Sequence, residues 1–218
     1  MLYTGKGYYA GSGLEFFGKS YELLLNQYLT KIIDYKEFEY QIVYSLKEVY
    51  NVRLVPSNDF ESQNKYKESV IEKHKDLAQI WFEHLYNGSN DYALISNYCY
   101  SKLQELYPTT QYVFGQPSFN LTLYNKDCFI KNHKDGEDDD KLRICVVLLY
   151  LNKDWKKGDG GELIITDLSG NKLEITPEFG NFAILDFTNA NLEHEVKPIT
   201  NPNFERKALI SFTMNSKK

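Results

Sequence analysis

Hydrophobic residues recur at two different spacings along this chain of 218 residues. In the first half they fall three and four residues apart, which predicts helices with one apolar face. These helices are predicted to begin at Tyr21, at Asp34 and after Pro56, with a further one spanning roughly Tyr92 to Leu106. The glycine-rich first dozen residues are predicted to be irregular. The pattern therefore indicates a helical region over residues 1–110.

After Pro108 the spacing changes to two, and short apolar runs alternate with Gly, Pro, Asn and Asp, as in strands joined by turns. The predicted strands are Phe119 to Tyr124, Arg143 to Leu151, Glu162 to Thr166, Lys172 to Ile175, Phe182 to Phe187, Glu193 to Ile199 and Arg206 to Thr213. Many short strands are typical of a sandwich or barrel. We therefore predict a mainly β fold with α-helices. Residues 111–218 would form the core, and residues 1–110 would pack on its sheet within a single compact domain.

Composition narrows the class of protein. The net charge is -5 and no block of Lys and Arg interrupts the mixed charges, which argues against a nucleic-acid partner. No run approaches the roughly 20 apolar residues of a membrane span, and the first residues lack a signal-peptide stretch. Cys99, Cys128 and Cys145 lack paired spacing and are predicted to be buried free thiols. These features predict a cytoplasmic protein with no membrane partner, and they leave the oligomeric state open.

Three side chains suit a metal ion. In His133-x-Asp135 on an extended chain, both side chains point to the same face. His194 offers a third ligand, and two imidazoles with one carboxylate form the facial set that holds non-haem Fe(II) and leaves positions for a co-substrate and O2. A solvated loop is the alternative for the His-x-Asp pair. His74 and His84 are predicted to be ordinary helix residues.

The last predicted strand carries a charge on an apolar face. Alternation places Arg206 on the same face as Ala208, Ile210 and Phe212. A guanidinium buried there needs an anion, and its planar fork suits a carboxylate such as that of a dicarboxylate co-substrate. The alternative is an edge strand in which Arg206 lies in water or pairs with a distant Glu.

These residues belong to a recognisable series of motifs. The matching pattern is a Tyr-containing strand, His133-x-Asp135, Arg143, Tyr150-Leu151-Asn152-Lys153-Asp154-Trp155, Gly160-Gly161-Glu162-Leu163, Pro177-x-x-Gly180, His194-Glu195-Val196-x-Pro198 and Arg206-x-Ala208. The segment from about Phe119 to Phe212 thereby resembles the 2-oxoglutarate and Fe(II)-dependent dioxygenases of the prolyl 4-hydroxylase-like superfamily. The run Tyr150 to Trp155 is similar to the animal oxygen-sensing prolyl hydroxylases and their bacterial relatives. The first hundred residues carry no matching motif.

The resemblance implies a fold and a site. The fold would be a double-stranded β-helix, or jelly roll, buttressed by N-terminal helices. The implied iron ligands are His133, Asp135 and His194. The implied groups around 2-oxoglutarate are Arg206 and Tyr150 on its distal carboxylate, with Tyr124 and Leu148 lining the pocket. Lys207 is a rival anchor, because a longer loop precedes Arg206 than in close oxygen-sensor relatives.

The resemblance also implies an activity. It predicts hydroxylation of a prolyl residue in a protein or peptide, with Fe(II), 2-oxoglutarate and O2 as cofactor and co-substrates, ascorbate as a supporting reductant, and release of succinate and CO2. Free proline or another small metabolite is the alternative substrate, and a non-catalytic jelly-roll binding module is the second alternative. A peptide substrate predicts an open groove flanked by loops such as residues 134–141, whereas a metabolite predicts a closed pocket with an additional buried charge.

Overall fold

A computed structural model gives the architecture of the chain and describes residues 1–29, 37–45, 48–56, 79–84, 98–99, 101–106, 120–135 and 143–214. The N-terminal helices are α1 (Gly13–Phe17) and α2 (Ser20–Leu29). The strands are β1 (Leu2–Gly5), β2 (Tyr8–Ser12), β3 (Glu37–Ser45), β4 (Glu48–Pro56), β5 (Gln79–His84), β6 (Asn120–Tyr124), β7 (Phe129–His133), β8 (Arg143–Tyr150), β9 (Leu163–Thr166), β10 (Lys172–Ile175), β11 (Asn181–Asp186), β12 (Glu193–Val196) and β13 (Arg206–Met214).

Two four-stranded antiparallel runs form the core. One has the order β11-β8-β13-β6 and the other the order β7-β12-β9-β10. Strands that follow one another in the chain lie in different runs, except that β9 and β10 form a hairpin within the second run, as in a double-stranded β-helix. This arrangement confirms the predicted fold class, and each of the seven predicted strands corresponds to an observed one.

The central strands are buried because their sequences are apolar on both faces. In β8 every residue from Ile144 to Tyr150 is buried, as expected for a strand covered on both sides. The strand pairs with β11 on one side and with β13 on the other. Strand β13, which carries Arg206, lies between β8 and β6. It is therefore a central strand and not an edge.

Strand β5 joins the two runs. Its residues Phe82 to His84 pair with β6, whereas Gln79 and Ile80 pair with β7. Strand β3 pairs with β5, and β4 pairs with β3 as an outer hairpin. The hydrogen-bonded path therefore continues from one run to the other.

The helices α1 and α2 cover the outer face of the first run. Phe182 of β11 stacks on Phe16 with ring centroids 4.7 Å apart and meets Phe17 edge-on at 5.0 Å. Phe17 in turn stacks on Tyr21 of α2 at 4.8 Å. Because Phe182 and its neighbour Ala183 point to opposite faces, this packing leaves the inner face of the sheet for the pocket. The helix predicted from Tyr21 is confirmed as α2, whereas α1 was not predicted.

The irregular structure predicted for the first dozen residues is wrong. They form the β1–β2 hairpin, and β2 extends the first run by pairing with β11. The pairing of Gly5 with Tyr8 leaves Lys6 and Gly7 as a two-residue turn, and Gly7 has a φ of 91°. Glycine adopts that conformation at little cost, so the glycines here mark a hairpin turn.

Two predicted helices are also corrected to strands. The helix predicted from Asp34 is replaced by the β3–β4 hairpin, and the end of the helix predicted after Pro56 is replaced by β5, which includes His84. The run Glu37 to Ile42 also alternates polar and apolar residues, and its aromatic and β-branched residues favour a strand. The structure follows the period of two, which is typical of a strand, and not the spacing of three and four residues on which the helix was predicted.

The remaining expectations fall partly on described residues. Within the helix predicted from Tyr92 to Leu106, residues 98–99 and 101–106 are helical, and the rest lies outside the described residues. So do His74 and residues 136–141 of the predicted substrate loop. All three cysteines are buried and none forms a disulfide, as predicted. No helix in the described parts of the chain is long and apolar enough to cross a membrane.

We expect Phe182→Ala to lower the free energy of unfolding by about 3 to 5 kcal/mol, because it removes a buried ring from the contact between sheet and helix. Leu168→Ala is the control, since Leu168 is 65% exposed and its truncation should change stability by less than about 0.5 kcal/mol. Urea unfolding followed by circular dichroism measures both. Equal effects of the two substitutions would show that the helices do not stabilise the sheet through Phe182.

Candidate active site

Strand pairing brings the two predicted histidine ligands together. His133 at the end of β7 pairs directly with His194 of β12, and their ring centroids are 4.3 Å apart. The next pair along the two strands is Val196 with Ile130, so two steps along β12 correspond to three steps along β7. Such an irregularity redirects side chains in a strand. Direct pairing of His133 with His194 already places both imidazoles on the same face of the sheet.

Asp135 completes the cluster. Its Oδ1 lies 3.3 Å from His133 Nε2, and its Oδ2 lies 3.6 Å from His194 Nε2. One possible ligand atom from each of the three residues lies within 4.8 Å of the others. Among the described residues, this is the one group of three His, Cys, Asp or Glu side chains close enough to hold an ion. The side chains that the sequence nominated as ligands therefore meet at one point.

Backbone carbonyls orient both imidazoles. His133 Nδ1 lies 2.9 Å from the carbonyl oxygen of Lys131, and His194 Nδ1 lies 3.1 Å from that of Leu192. A carbonyl oxygen can only accept a hydrogen bond, so Nδ1 of each ring carries the proton. In the neutral form of each ring, Nε2 then carries the lone pair and directs it towards the centre of the cluster, which is the arrangement typical of metal-binding histidines.

The pKa values of the two histidines shift in opposite directions. Burial alone would lower the pKa of His133, but its hydrogen bond to Asp135 and the negative charge of that residue raise it above its ordinary value. Burial lowers the pKa of His194, and the charge of Asp135 opposes this only in part. Since metals bind the neutral imidazole, His194 is already in the required form near neutral pH.

The position of Asp135 depends on a residue that sequence reasoning missed. Asn191 donates from Nδ2 to the backbone carbonyl of Asp135 at 2.6 Å, and this contact ties the His-x-Asp segment to the chain just before β12. Asn191 stands three residues before His194, but an asparagine in a turn gives no signal for such a contact. The chemistry of the cluster fits a divalent transition metal, and its mixed nitrogen and oxygen donors suit Fe(II).

Arg206 provides the second half of the site. Its side chain is fully buried, and its Nε donates to the carbonyl oxygen of Gly161 at 2.9 Å. Both terminal nitrogens, Nη1 and Nη2, are buried without a hydrogen-bond partner among the described residues. Leaving charged donors bare in the interior is costly. The unused donors therefore indicate a place for an anion.

Two tyrosines flank this guanidinium. The Arg206 Cζ lies 4.7 Å from the ring centroid of Tyr124 and 5.1 Å from that of Tyr150. The hydroxyl of Tyr150 is buried and has no partner among the described residues. Burial raises the pKa of Tyr150, with the charge of Arg206 opposing, so the hydroxyl keeps its proton and can donate a hydrogen bond to an anion. Leu148, two residues earlier in β8, is 7% exposed and adds apolar surface on the same face.

A pair of glycines makes room for the arginine. Gly160 and Gly161 have φ values of 84° and 80°. A Cβ on Gly161 would lie 2.5 Å from Ile199 Cδ1 and 2.8 Å from Arg206 Cδ. These distances are too short for carbon atoms, so a side chain at Gly161 would displace Arg206. The sequence marked Gly160-Gly161 as a matching motif but did not reveal this contact.

Lys207, the rival anchor, points elsewhere. Its Nζ lies 3.1 Å from Glu205 Oε1, and its side chain is 31% exposed. Arg206, by contrast, lies on a central strand and has no carboxylate partner among the described ion pairs. Arg206 is therefore the better placed of the two cations to bind a buried carboxylate.

Residues 119–214 match the family model of the 2OG-Fe(II) oxygenase superfamily. The match covers the strands from β6 to β13, with the metal cluster and Arg206. It confirms the resemblance drawn from the motifs for this segment.

Solved structures share the fold. A prolyl hydroxylase from Trichoplax adhaerens, solved in complex with a peptide fragment of the hypoxia inducible factor oxygen degradation domain, is 17% identical with a TM-score of 0.62, over 96% of this chain and 84% of that chain. A prolyl 4-hydroxylase from Phytophthora capsici is 18% identical with a TM-score of 0.57, over 97% of this chain and 60% of that chain. The double-stranded β-helix is therefore common to all three proteins.

We expect His133→Ala and His194→Ala each to weaken the binding of Mn(II) or Fe(II) by more than about 100-fold, since each removes a ligand whose orientation is already fixed. Lys134→Ala is the matched control, because Lys134 is exposed and stands between His133 and Asp135. Anaerobic equilibrium dialysis gives the affinities, and circular dichroism checks the fold. Unchanged affinity in either histidine variant would exclude that residue as a ligand.

Proposed function

We propose, starting from residues 119–214 as a 2-oxoglutarate-dependent dioxygenase domain of the 2OG-Fe(II) oxygenase superfamily, that the protein hydroxylates a prolyl residue of a protein or peptide. One atom of O2 would enter the product as a hydroxyl group. The other would enter succinate as 2-oxoglutarate loses CO2. Bound Fe(II) would supply the redox chemistry of this reaction.

The observation that carries the proposal is a group of buried hydrogen-bond donors at and beside Arg206. Two guanidinium nitrogens and the Tyr150 hydroxyl are buried together without partners among the described residues. A carboxylate accepts hydrogen bonds from all of these groups, and the guanidinium fork binds its two oxygens at once. The metal cluster and this pocket together match the two ends of a keto dicarboxylate, one end metal-binding and one end anionic.

The protein residues would hold the reactants and exclude water. His133, Asp135 and His194 would bind the metal from one side and leave its other positions open. Arg206 would fix the distal carboxylate, and the Tyr150 hydroxyl would donate a further hydrogen bond to it. The rings of Tyr124 and Tyr150 with the side chain of Leu148 would shield this end from solvent, which strengthens the charged contact.

Support for a peptide substrate comes from the shared fold. The prolyl hydroxylase from Trichoplax adhaerens with this architecture was solved with a bound peptide. A closed metabolite pocket would be expected to carry an additional buried charge. Among the described residues, Arg206 is the one buried Lys or Arg side chain, and its free donors would be taken by 2-oxoglutarate. Three carboxylates, Asp159, Glu162 and Asp186, are also buried, and backbone N–H groups bond to two of them, Asp159 and Asp186. The preference for a peptide therefore rests on the shared fold. We therefore place the peptide ahead of free proline, and we retain the cytoplasm as the proposed compartment.

We expect Arg206→Met to raise the 2-oxoglutarate concentration needed for half-maximal turnover by about 100-fold, because the replacement fills similar space but cannot pair with a carboxylate. Lys207→Met is the control, since Lys207 pairs with Glu205, and it should leave this concentration unchanged. Succinate formation at varied 2-oxoglutarate measures both. A normal requirement in Arg206→Met together with a raised one in Lys207→Met would move the anchor to Lys207.

We expect iron-dependent succinate formation to rise several-fold on addition of proline-containing peptides, in assays with anaerobically loaded Fe(II), ascorbate and O2. His133→Ala serves as the inactive control. The hydroxylated residue is identified by mass spectrometry of the peptide. Stimulation by free proline alone would favour a metabolite substrate, and an absence of both turnover and 2-oxoglutarate binding would favour a non-catalytic binding module.

A further inference from the structure

Two polar side chains in the segment Tyr150 to Trp155 remain without a role in the site described so far. Asn152 and Trp155 lie just after β8, outside the metal cluster and outside the pocket wall. Each nevertheless makes a hydrogen bond to a backbone group that adjoins Arg206 or its acceptor. One of these hydrogen bonds is made next to the backbone of Arg206, and the other is made next to the carbonyl group that accepts from its Nε.

Asn152 holds the start of β13. Its Oδ1 accepts a hydrogen bond from Lys207 N at 2.7 Å, and its Nδ2 donates to the carbonyl oxygens of Pro177 at 2.7 Å and Lys207 at 3.2 Å. The nitrogen of Lys207 belongs to the peptide group that joins it to Arg206. Residue pairing between β8 and β13 ends with Tyr150 and Ala208. Past that point the contact is continued by the bond from Leu151 N to the carbonyl oxygen of Lys207 and by the buried Asn152 side chain. It thereby fixes the backbone from which the arginine side chain leaves.

Trp155 holds the other end of the arginine. Its Nε1 donates to the carbonyl oxygen of Gly160 at 3.0 Å. The next carbonyl, that of Gly161, accepts from Arg206 Nε. Both glycines have positive φ values, and glycine is the most flexible residue in the chain. A bond to the Gly160–Gly161 peptide group restricts the loop that supplies the acceptor for Arg206.

The geometry points to Asn152 and Trp155 as positioning residues for the co-substrate carboxylate, acting through Arg206. Arginine has several rotatable bonds, and among the described residues its terminal nitrogens have no partner that would hold them. Fixing its backbone on one side and its Nε acceptor on the other keeps the guanidinium aimed before the carboxylate arrives, which reduces the entropy lost on binding. This inference rests on the proposed function of Arg206.

The test compares two metal-binding ligands in anaerobic, Zn(II)-loaded protein, where no turnover occurs. 2-Oxoglutarate has a distal carboxylate for Arg206, whereas oxalate binds a metal without one. We expect Trp155→Phe, which keeps the aromatic ring but loses the N–H donor, to weaken 2-oxoglutarate binding by about fivefold, the equivalent of one hydrogen bond. Oxalate binding should stay within about twofold, and calorimetry measures both affinities.

Asn152→Ala should show the same selectivity. Asn171→Ala is the matched control, because Asn171 bonds to Asp167 in an exposed turn, and it should change neither affinity. In the Arg206→Met background, Trp155→Phe and Asn152→Ala should have no further effect on 2-oxoglutarate binding, since each acts through the arginine. If the cavity left by Asn152→Ala prevents folding, Trp155→Phe decides the question alone.

Other outcomes overturn the inference. Equal weakening of 2-oxoglutarate and oxalate, a loss that persists in the Arg206→Met background, or no change in Trp155→Phe would each show that these hydrogen bonds serve the fold alone. A separate result identifies failure of the proposed function itself. In that case Arg206→Met would bind 2-oxoglutarate as tightly as the unmodified protein, and the positioning role would fail with it.

Discussion

A buried guanidinium whose two terminal nitrogens have no hydrogen-bond partner in the described parts of the chain is the constraint on which the rest of the pocket depends. Taking such a charge out of water costs several kcal/mol unless an anion compensates it. In the described residues the compensation is partial: a carbonyl meets Nε, and two aromatic rings face the planar group. The protein therefore keeps Arg206 in an interior that remains electrostatically incomplete. Binding an anion there relieves an existing cost as well as making new contacts.

The metal cluster depends on a different constraint, which is pairing between distant parts of the chain. His133 and His194 meet because β7 lies beside β12, and β9 on the other side of β12 places Ile165 opposite His194. The arginine belongs to the other run of strands, yet its Nε bonds to Gly161, two residues before β9. This contact spans the space between the two runs. The position of the His133–Asp135–His194 cluster relative to Arg206 therefore depends on how the two runs pack against each other.

Much of the core was predictable because its strands have unambiguous patterns. The run from Arg143 to Tyr150 is too apolar for a surface element, and the alternation after Arg206 correctly placed the guanidinium inside. The segment from Glu37 to Ser45 was misassigned because its apolar residues satisfy two periods at once, and a local pattern cannot reveal the neighbouring strand that decides between them. Asn191 escaped notice for a related reason. Its role consists of one contact to a backbone carbonyl 56 residues away, and no local pattern encodes such a contact.

Between the same two paired positions, β7 has one residue more than β12. This difference limits how the sequence can vary among related proteins. Lys131 and Asn132 lie between the paired positions Ile130 and His133, and both are exposed. Exchanging either for another surface residue leaves the number of residues unchanged. Losing or gaining a single codon there moves every later residue of β7 to the opposite face, which would turn the imidazole of His133 away from its partners. This short stretch is therefore strict in length, whereas an ordinary surface loop tolerates insertions and deletions.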